Sequence, residues 1–259
     1  MRIKNVLVWI ERFSIFGMLG WLDIKQRYRR SALGPLWITI SMLIQIIVIG
    51  VVFGSLFNIE LGNYFPYVAL GIIFWSYISS TLNESCFSFI GVEHLIKQLP
   101  LPYGAHVLRV VWRNTIILFH NLLIIPFVWL YFGKEFSIQN LWVIFSLLLL
   151  IANLTWLGIL IGMICTRFRD VAQIIASLLL VAFNLTPVMW LPKSLPAIYK
   201  TYLIDFNPLY YFLDLVRSPM LNDELNRLSV EVSIVTSIFG WIITMLVFQK
   251  FKKNIPYWL

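Results

Sequence analysis

The chain contains several apolar stretches without charge, each long enough to cross a lipid bilayer. The clearest covers residues 36–57, where 22 consecutive residues carry no charged side chain. At about 1.5 Å per residue, a helix of that length spans roughly 33 Å, which matches the hydrocarbon core of a bilayer. Lipid satisfies no backbone hydrogen bonds, so such a stretch has to be helical. The sequence therefore predicts an all-α integral membrane protein.

The composition excludes several other classes of protein. Hydrophobic residues make up 60% of the 259 residues and charged residues only 12%, against about 25% charged in ordinary globular domains. These values exclude a soluble enzyme, a disordered protein and a disulfide scaffold. Cys86 and Cys165 lie in apolar stretches and are interpreted as inert core thiols.

Six membrane spans are predicted, at about residues 36–57, 65–90, 107–132, 140–165, 171–191 and 231–250. Together they define a transmembrane domain over residues 35–259. Residues 1–34 precede it. Their apolar residues recur at steps of three and four, which predicts an amphipathic helix in the membrane interface. A simple stop-transfer cluster of charges is the alternative for this segment.

The distribution of positive charge predicts the orientation. Six spans place both termini on the same side, and 15 of the 20 Lys and Arg residues then fall on that side. Positive residues concentrate on the cytoplasmic side of membrane proteins. We therefore expect a multi-pass membrane protein with both termini in the cytoplasm.

The last outer segment, residues 192–230, is unusually long and contains four prolines. Between the prolines lie two apolar-aromatic runs, at 198–206 and 209–216, that are too short to cross the bilayer. They are interpreted as re-entrant or interfacial half-helices, between the fifth and sixth spans. An exposed loop is the alternative.

The sequence shows no catalytic set. The three histidines are far apart, and neither a GxxxxGK[ST] nor a GxGxxG motif occurs. We therefore expect no enzyme activity and no cofactor bound by this chain, and the energy for any transport has to come from a partner or from a gradient. Glu84 is the one deep acid. It is interpreted as an ion-pair partner of Arg109 or Arg113, or else as a proton relay.

The aromatic residues within the spans and the paired glycines each have two possible roles. Phe74, Trp75, Tyr77 and Trp156 lie within predicted spans, where their rings could line a passage for sugars or belong to the apolar core. The pairs Gly50/Gly54 and Gly158/Gly162 permit close helix contacts, either within the chain or in a dimer.

The segment 91–106 is short, amphipathic and bounded by prolines and a glycine. A short helix there could insert into a groove of a cytoplasmic partner. A turn on the membrane surface is the alternative.

Several motifs resemble a known family, the permease subunits of ABC-2-type exporters, especially the branch that exports capsular and O-antigen polysaccharides. The first block that carries the resemblance runs from Leu22 to Tyr28 and continues at Ser31–Trp37. The others are Leu99-Pro100, Arg167–Asp170, Thr186-Pro187-Val188 and Phe206–Leu209. Leu22 departs from the family, which often has Arg before the Asp.

The resemblance implies a location in the bacterial inner membrane, partners and a cargo. Two copies would form the pore, and two separately encoded P-loop ATPases, which bind ATP and Mg, would dock below. The cargo would be a polysaccharide on an undecaprenyl-type lipid, and no nucleic acid would be involved. Half-helices around 195–221 would form an extracytoplasmic gate.

The resemblance also assigns roles to residues. The ATPase-coupling helix would comprise Val92, Glu93, His94, Leu95, Ile96, Lys97, Gln98, Leu99 and Pro100. Contacts to the lipid headgroup and the membrane interface would come from Lys25, Arg27, Tyr28, Arg29 and Arg30. Candidates for the translocation path are Phe74, Trp75, Tyr77, Glu84 and Trp156, and those for the gate are Asn207, Pro208, Tyr210 and Tyr211.

Three other functions stay open. The same architecture could export teichoic acid, another lipid or a drug. A membrane transferase should show clustered acids or histidines at the bilayer surface, and the sequence has none. A gradient-driven carrier should depend on Glu84.

Overall fold

The computed structural model describes residues 17–26, 34, 36–98, 102–192 and 196–259, and these residues form helices joined by short connections. Residues 17–26 are helical and are called α1. The long helices are α2 (Leu36–Leu56), α3 (Leu61–Ser85), α5 (Gly104–Leu122), α7 (Trp142–Arg167) and α11 (Arg227–Phe251). The remaining helices are α4 (Glu93–Gln98), α6 (Ile124–Phe132), α8 (Val171–Leu185), α9 (Ala197–Lys200), α10 (Pro208–Met220) and α12 (Ile255–Trp258).

Five helical segments are long and apolar enough to cross a membrane, and they agree with five of the six predicted spans. The third of these comprises α5 and α6, which meet at Leu123. Pro126 explains the break, because its ring has no N–H for the carbonyl of Leu122 and collides with it. The predicted all-α membrane fold is confirmed.

The fifth predicted span, residues 171–191, is the exception. Its helix, α8, ends at Leu185 and is 15 residues long, or about 22 Å. Thr186 has an extended backbone, with φ −85° and ψ 139°. A residue that precedes proline avoids the α region, so Pro187 ends the helix early.

Helix α3 forms the centre of the fold. It is the most buried of the membrane-length helices, and it packs against α2, α5, α6, α7, α8 and α10. Both small-residue pairs serve this packing. A Cβ on Gly50 would lie 2.7 Å from the Phe65 ring, and one on Gly162 would lie 2.6 Å from Ser88 Oγ. The close contacts are therefore made within the chain.

The two ends of the bundle differ. The end that holds Lys134, α9 and α10 is called the α10 end, and the end that holds α4 and α12 is called the α4 end. At the α10 end, α9 continues into a π-helical turn at Thr201–Asp205, and α10 follows. The two predicted half-helices are therefore present as short helices. Of the amphipathic helix predicted over residues 1–34, the structure describes only α1 and Gly34.

Candidate translocation path and gate

A groove lined by polar side chains runs along α3 between α2 and α8. Its cavity has a volume of about 340 Å³. Ser76, Ser79 and Asn83 line it from α3, and Gln45 lines it from α2. The three residues of α3 are spaced three and four apart, so they lie on one face of the helix. The polar groove therefore lies within the membrane-length part of the fold.

Helix α8 carries a second polar surface beside this groove. Gln173, Ser177 and Asn184 are exposed and lie on one stripe of the helix. The adjoining stripe is apolar and includes Ile174 and Leu178, which are 55% and 60% exposed. Leu180, which is 68% exposed, lies on the same stripe as the polar residues, and the Asn184 side chain donates to the Leu180 carbonyl at 2.9 Å. Polar side chains exposed to lipid lose hydrogen bonds to water, so the polar residues of this stripe favour contact with water or with another protein surface.

The four aromatic residues named for the path occupy different environments. Trp75 lines the groove and packs against Phe183, with ring centroids 5.8 Å apart. Phe74 is fully buried in the core, and the buried Tyr77 forms a hydrogen bond with Thr115. Trp156 packs on Gly240 of α11. Of the four, only Trp75 borders the polar groove.

Glu84 belongs to a network of charges that joins three helices. It accepts hydrogen bonds from Arg113 Nη2 at 2.7 Å and from Asn114 Nδ2 at 2.6 Å. Arg113 Nη1 also donates to Asp23 at 2.9 Å, and Arg109 forms an ion pair with Asp23 through two nitrogens. The ion pair predicted for Glu84 is therefore present with Arg113, and Asp23 is a further member that the sequence did not indicate.

Helix α1 docks closely on α5 through this network. A Cβ on Gly20 would lie 3.0 Å from the Trp112 ring and 3.3 Å from the Arg109 carbonyl oxygen. Lys25 is exposed at the end of α1. The other predicted headgroup residues, Arg27, Tyr28, Arg29 and Arg30, lie outside the described residues.

The predicted coupling segment is helical where it is described. Ile90–Val92 forms a 3₁₀ turn, and α4 follows with Glu93, His94, Leu95, Ile96, Lys97 and Gln98. His94 is exposed, and Ile96 packs against a small core cluster at the α4 end. Leu99 and Pro100 lie outside the described residues.

Asn207 and Pro208, two of the residues predicted for the gate, start helix α10. The Asn207 side chain accepts hydrogen bonds from the backbone N–H groups of Leu209 and Tyr210, and Pro208 occupies the first helical position. Both features are typical of helix N-termini. Asn207 Nδ2 also donates to Thr186 Oγ1 at 2.9 Å. This bond connects the start of α10 to the end of α8.

Residues 186–190 are fixed onto α3 from two sides. Tyr64 Oη donates to the Met189 carbonyl, and Tyr67 Oη donates to the Pro187 carbonyl at 2.9 Å. Arg217 Nη1 donates to the same Pro187 carbonyl at 2.7 Å, and its guanidinium lies 3.9 Å from the centroid of the Tyr67 ring. Sequence reasoning did not find Arg217, because its partners are backbone carbonyls and an aromatic face.

A second cavity, of about 580 Å³, opens at the α10 end. Its lining includes Tyr64, Tyr67, Trp129, Lys134, Tyr210, Asp214, Arg217, Asn222 and Asp223. Burial raises the pKa of the Tyr210 phenol, and the Asp214 carboxylate raises it further. Tyr210 is therefore a neutral hydrogen-bonding group. The fourth gate residue, Tyr211, donates from its hydroxyl to the Asp205 carbonyl at 2.9 Å.

Among the residues that the structure describes, no three His, Cys, Asp or Glu side chains come together in a way that could hold a metal ion. The polar groups that line the groove are the hydroxyls of serines and the side-chain amides of Gln45 and Asn83. The arrangement can hydrate and guide a ligand along α3 and α8.

Comparison with known proteins gives a consistent result. Residues 15–221 match the ABC-2 type transporter family. Two relatives from Klebsiella pneumoniae, both described as O-antigen export system permease protein RfbA, are each 24% identical over 93% of both chains. A protein of the same description from Myxococcus xanthus is 25% identical over 65% of both chains.

The matched region runs from α1 to the end of α10 and so contains the groove, the charge network and the gate helices. It covers well over half of the chain. This multi-pass membrane protein belongs to the ABC-2 type transporter family.

Proposed function

We propose that this chain is the permease subunit of an ATP-driven exporter that moves a lipid-linked polysaccharide, such as O-antigen or capsule, out of the cytoplasm. Two copies form the pore, and two copies of a separate P-loop ATPase bind ATP and Mg. The named function of the relatives supports the class of cargo. The proposal includes an undecaprenyl-type lipid as the carrier of the polysaccharide.

The polar surface beside the groove is the observation that carries the proposal. Gln173, Ser177 and Asn184 are exposed along α8, beside the groove lined by Ser76 and Asn83. Exposed polar groups at membrane depth are tolerated where they line a water-filled cavity. A second copy facing this surface encloses such a cavity, and its hydroxyl and amide groups suit a hydrated sugar chain.

The orientation follows from the charge bias. Fifteen of the 20 cations belong to the segments predicted to lie inside, and α4 and α12 belong to those segments, so the α4 end faces the cytoplasm. The α10 end is then extracytoplasmic. Helices α9 and α10 re-enter the membrane from there and close the passage, with Asn207 and Pro208 at the turn, and Tyr210 and Tyr211 on α10.

The α4 end receives the ATPase and the lipid headgroup. Helix α4, within residues 92–100, is the part that enters a cleft of the ATPase. Lys25, with Arg27, Tyr28, Arg29 and Arg30, attracts the anionic phosphates of the carrier. ATP binding closes the ATPase pair, and the different contacts in the two states shift the permease halves.

Deletion of this chain in cells that retain the neighbouring ATPase tests the proposal. We expect surface polysaccharide to disappear and lipid-linked polymer to accumulate inside the cell. Re-expression should restore export. Re-expression with Lys97→Pro, which places proline beyond the first turn of α4 and breaks it, should not restore it, whereas Lys97→Ala should.

Other outcomes would favour other functions. If no polymer is made anywhere in the deletion strain, the chain acts in synthesis as a transferase. If surface polymer is unchanged, the cargo is different, such as teichoic acid, another lipid or a drug. If Glu84→Gln abolishes export while the protein assembles normally, a gradient-driven carrier becomes the better description.

A further inference from the structure

The cavity at the α10 end has the form of a ligand site. Its volume of about 580 Å³ lies within the range of roughly 300–1,000 Å³ that is usual for small-molecule sites. It is bounded by α3, α6 and α10 and lies within a single chain. It is separate from the polar groove between α2, α3 and α8. The export mechanism above gives α10 and Tyr210 a role in closing the passage but assigns no ligand to this cavity.

Several of its walls are aromatic rings held in fixed positions. Tyr64 and Tyr67 are held through their hydroxyl groups, which donate to the carbonyls of Met189 and Pro187. Trp129 packs edge-on against Phe136, with ring centroids 4.3 Å apart. Rigid aromatic surfaces that need no reordering are suited to the C–H faces of sugar rings.

Tyr210 differs from the other two tyrosines. Its phenol has no hydrogen-bond partner among the residues that the structure describes, although it is part of the cavity lining. A phenol can both donate and accept a hydrogen bond. Tyr210 therefore offers a ligand an aromatic face and a polar group together.

The remaining polar groups favour a ligand rich in hydroxyl groups over an anion. The Arg217 guanidinium is occupied by the Pro187 carbonyl and the Tyr67 ring, and Lys134 Nζ donates to Asn63 Oδ1 at 2.9 Å. Asp214 contributes negative charge to the lining. The amide side chains of Asn63 and Asn222 also line the cavity.

We propose that this cavity binds a saccharide unit and that Tyr210 is its central contact. The proposal rests on the proposed function for the source of the ligand, which is the part of the polysaccharide that has just left the passage. A unit held there keeps the emerging chain beside the exit and opposes its return.

Binding can be measured on the purified full-length permease without ATPase. The probe is an oligosaccharide released by mild hydrolysis from the surface polysaccharide of the producing cell. Saturation-transfer NMR would follow it in a detergent that has no sugar headgroup, because a maltoside would compete. Dihexanoyl phosphatidylglycerol serves as a second probe, for a lipid headgroup.

Tyr210→Ala removes both the ring and the hydroxyl, and we expect it to weaken oligosaccharide binding about tenfold. Tyr210→Phe keeps the ring and should weaken oligosaccharide binding less than Tyr210→Ala does. If Tyr210→Ala does not fold, Tyr210→Phe provides the second variant, because it removes only the hydroxyl group and should still weaken binding measurably. The control is Tyr131→Ala, which removes an 84% exposed ring outside the cavity lining and should bind as the wild type does.

Three results would overturn the proposal. These are an absence of saturable oligosaccharide binding by the wild type, equal affinity in Tyr210→Ala and wild type, and binding of the lipid probe alone. The deletion strain tests the proposed function separately. Restored export without oligosaccharide binding would reject this site and leave the exporter function intact.

Discussion

Arg113 connects two acidic residues that belong to different helices. It donates to Asp23 of α1 and to Glu84 of α3, and its side chain is only 19% exposed. Removing one partner of a buried ion pair leaves an unpaired charge, which costs far more than the loss of an exposed pair. This single side chain therefore fixes α1 and α3 relative to α5.

We expect Arg113→Gln to destabilise the protein by about 2–3 kcal/mol and to loosen α1. Thermal unfolding of the detergent-solubilised protein would measure the loss. Arg227→Gln is the control, because Arg227 forms an exposed pair with Glu231 on α11 and should change stability little. Equal stability of the two variants would show that the network does not hold α1.

The sequence predicted only part of this network. Glu84 could be matched with an arginine because both occur in apolar surroundings, where a charge needs a partner. Asp23 is 86 residues from Arg109, and the docking of α1 depends on a small residue, Gly20, facing Trp112. Helical periodicity identifies an apolar face but does not tell which helix that face contacts.

At the scale of elements, the connection after α8, residues 186–190, is held in place by hydrogen bonds from α3 and α10. Residues 186–190 lie against α3, and a Cβ on Gly71 would lie 2.5 Å from the Val188 carbonyl oxygen. A backbone atom cannot rotate away as a side chain can. Because Gly71 has no side chain, the connection formed by residues 186–190 can pack directly against α3.

Gly71→Ala should displace this connection and destabilise the protein by about 1–3 kcal/mol, with reduced export in cells. Gly104→Ala is the matched control, since nothing lies within 4 Å of a Cβ there. Thermal unfolding and surface polysaccharide staining of the same two variants would test this. A Gly71→Ala protein that matches the control would contradict the role given to the contact.

The helices were predicted better than their connections. Five membrane-length helices were predicted correctly from apolar stretches without charge, because length and hydropathy are enough to recognise such a helix. Helix α8 ends at Leu185, six residues before the predicted end of the fifth span. Pro187 signals it, since the residue before proline leaves the α region, but the apolar residues beyond it continued the pattern of a span.

At the scale of the whole molecule, the polar face of α8 determines how two copies can meet. Ser177 and its neighbours on that stripe are exposed in one copy, as are the apolar residues of α11 such as Ile242. Exposing the polar residues of α8 to lipid costs free energy, whereas exposing the apolar residues of α11 does not. The proposed pore therefore lies on the α8 side, and α11 faces the lipid.

Ser177→Cys should react with a charged, membrane-impermeant thiol reagent in the assembled transporter, because the pore contains water. Ile242→Cys, which is 51% exposed in the single chain, should stay unreactive in lipid. The two natural cysteines are buried and give a low background. Labelling of both positions, or of neither, would contradict this arrangement.

The shortness of α8 has a consequence for the surrounding lipid. A helix of 15 residues covers about 22 Å, against a hydrocarbon core of about 30 Å. Such a mismatch is relieved when the bilayer becomes locally thinner or when other protein segments supply the missing depth. Acyl-chain length should therefore act on the exposed apolar stripe of α8, which includes Ile174 and Leu178, and a thinner membrane should match the length of this helix better.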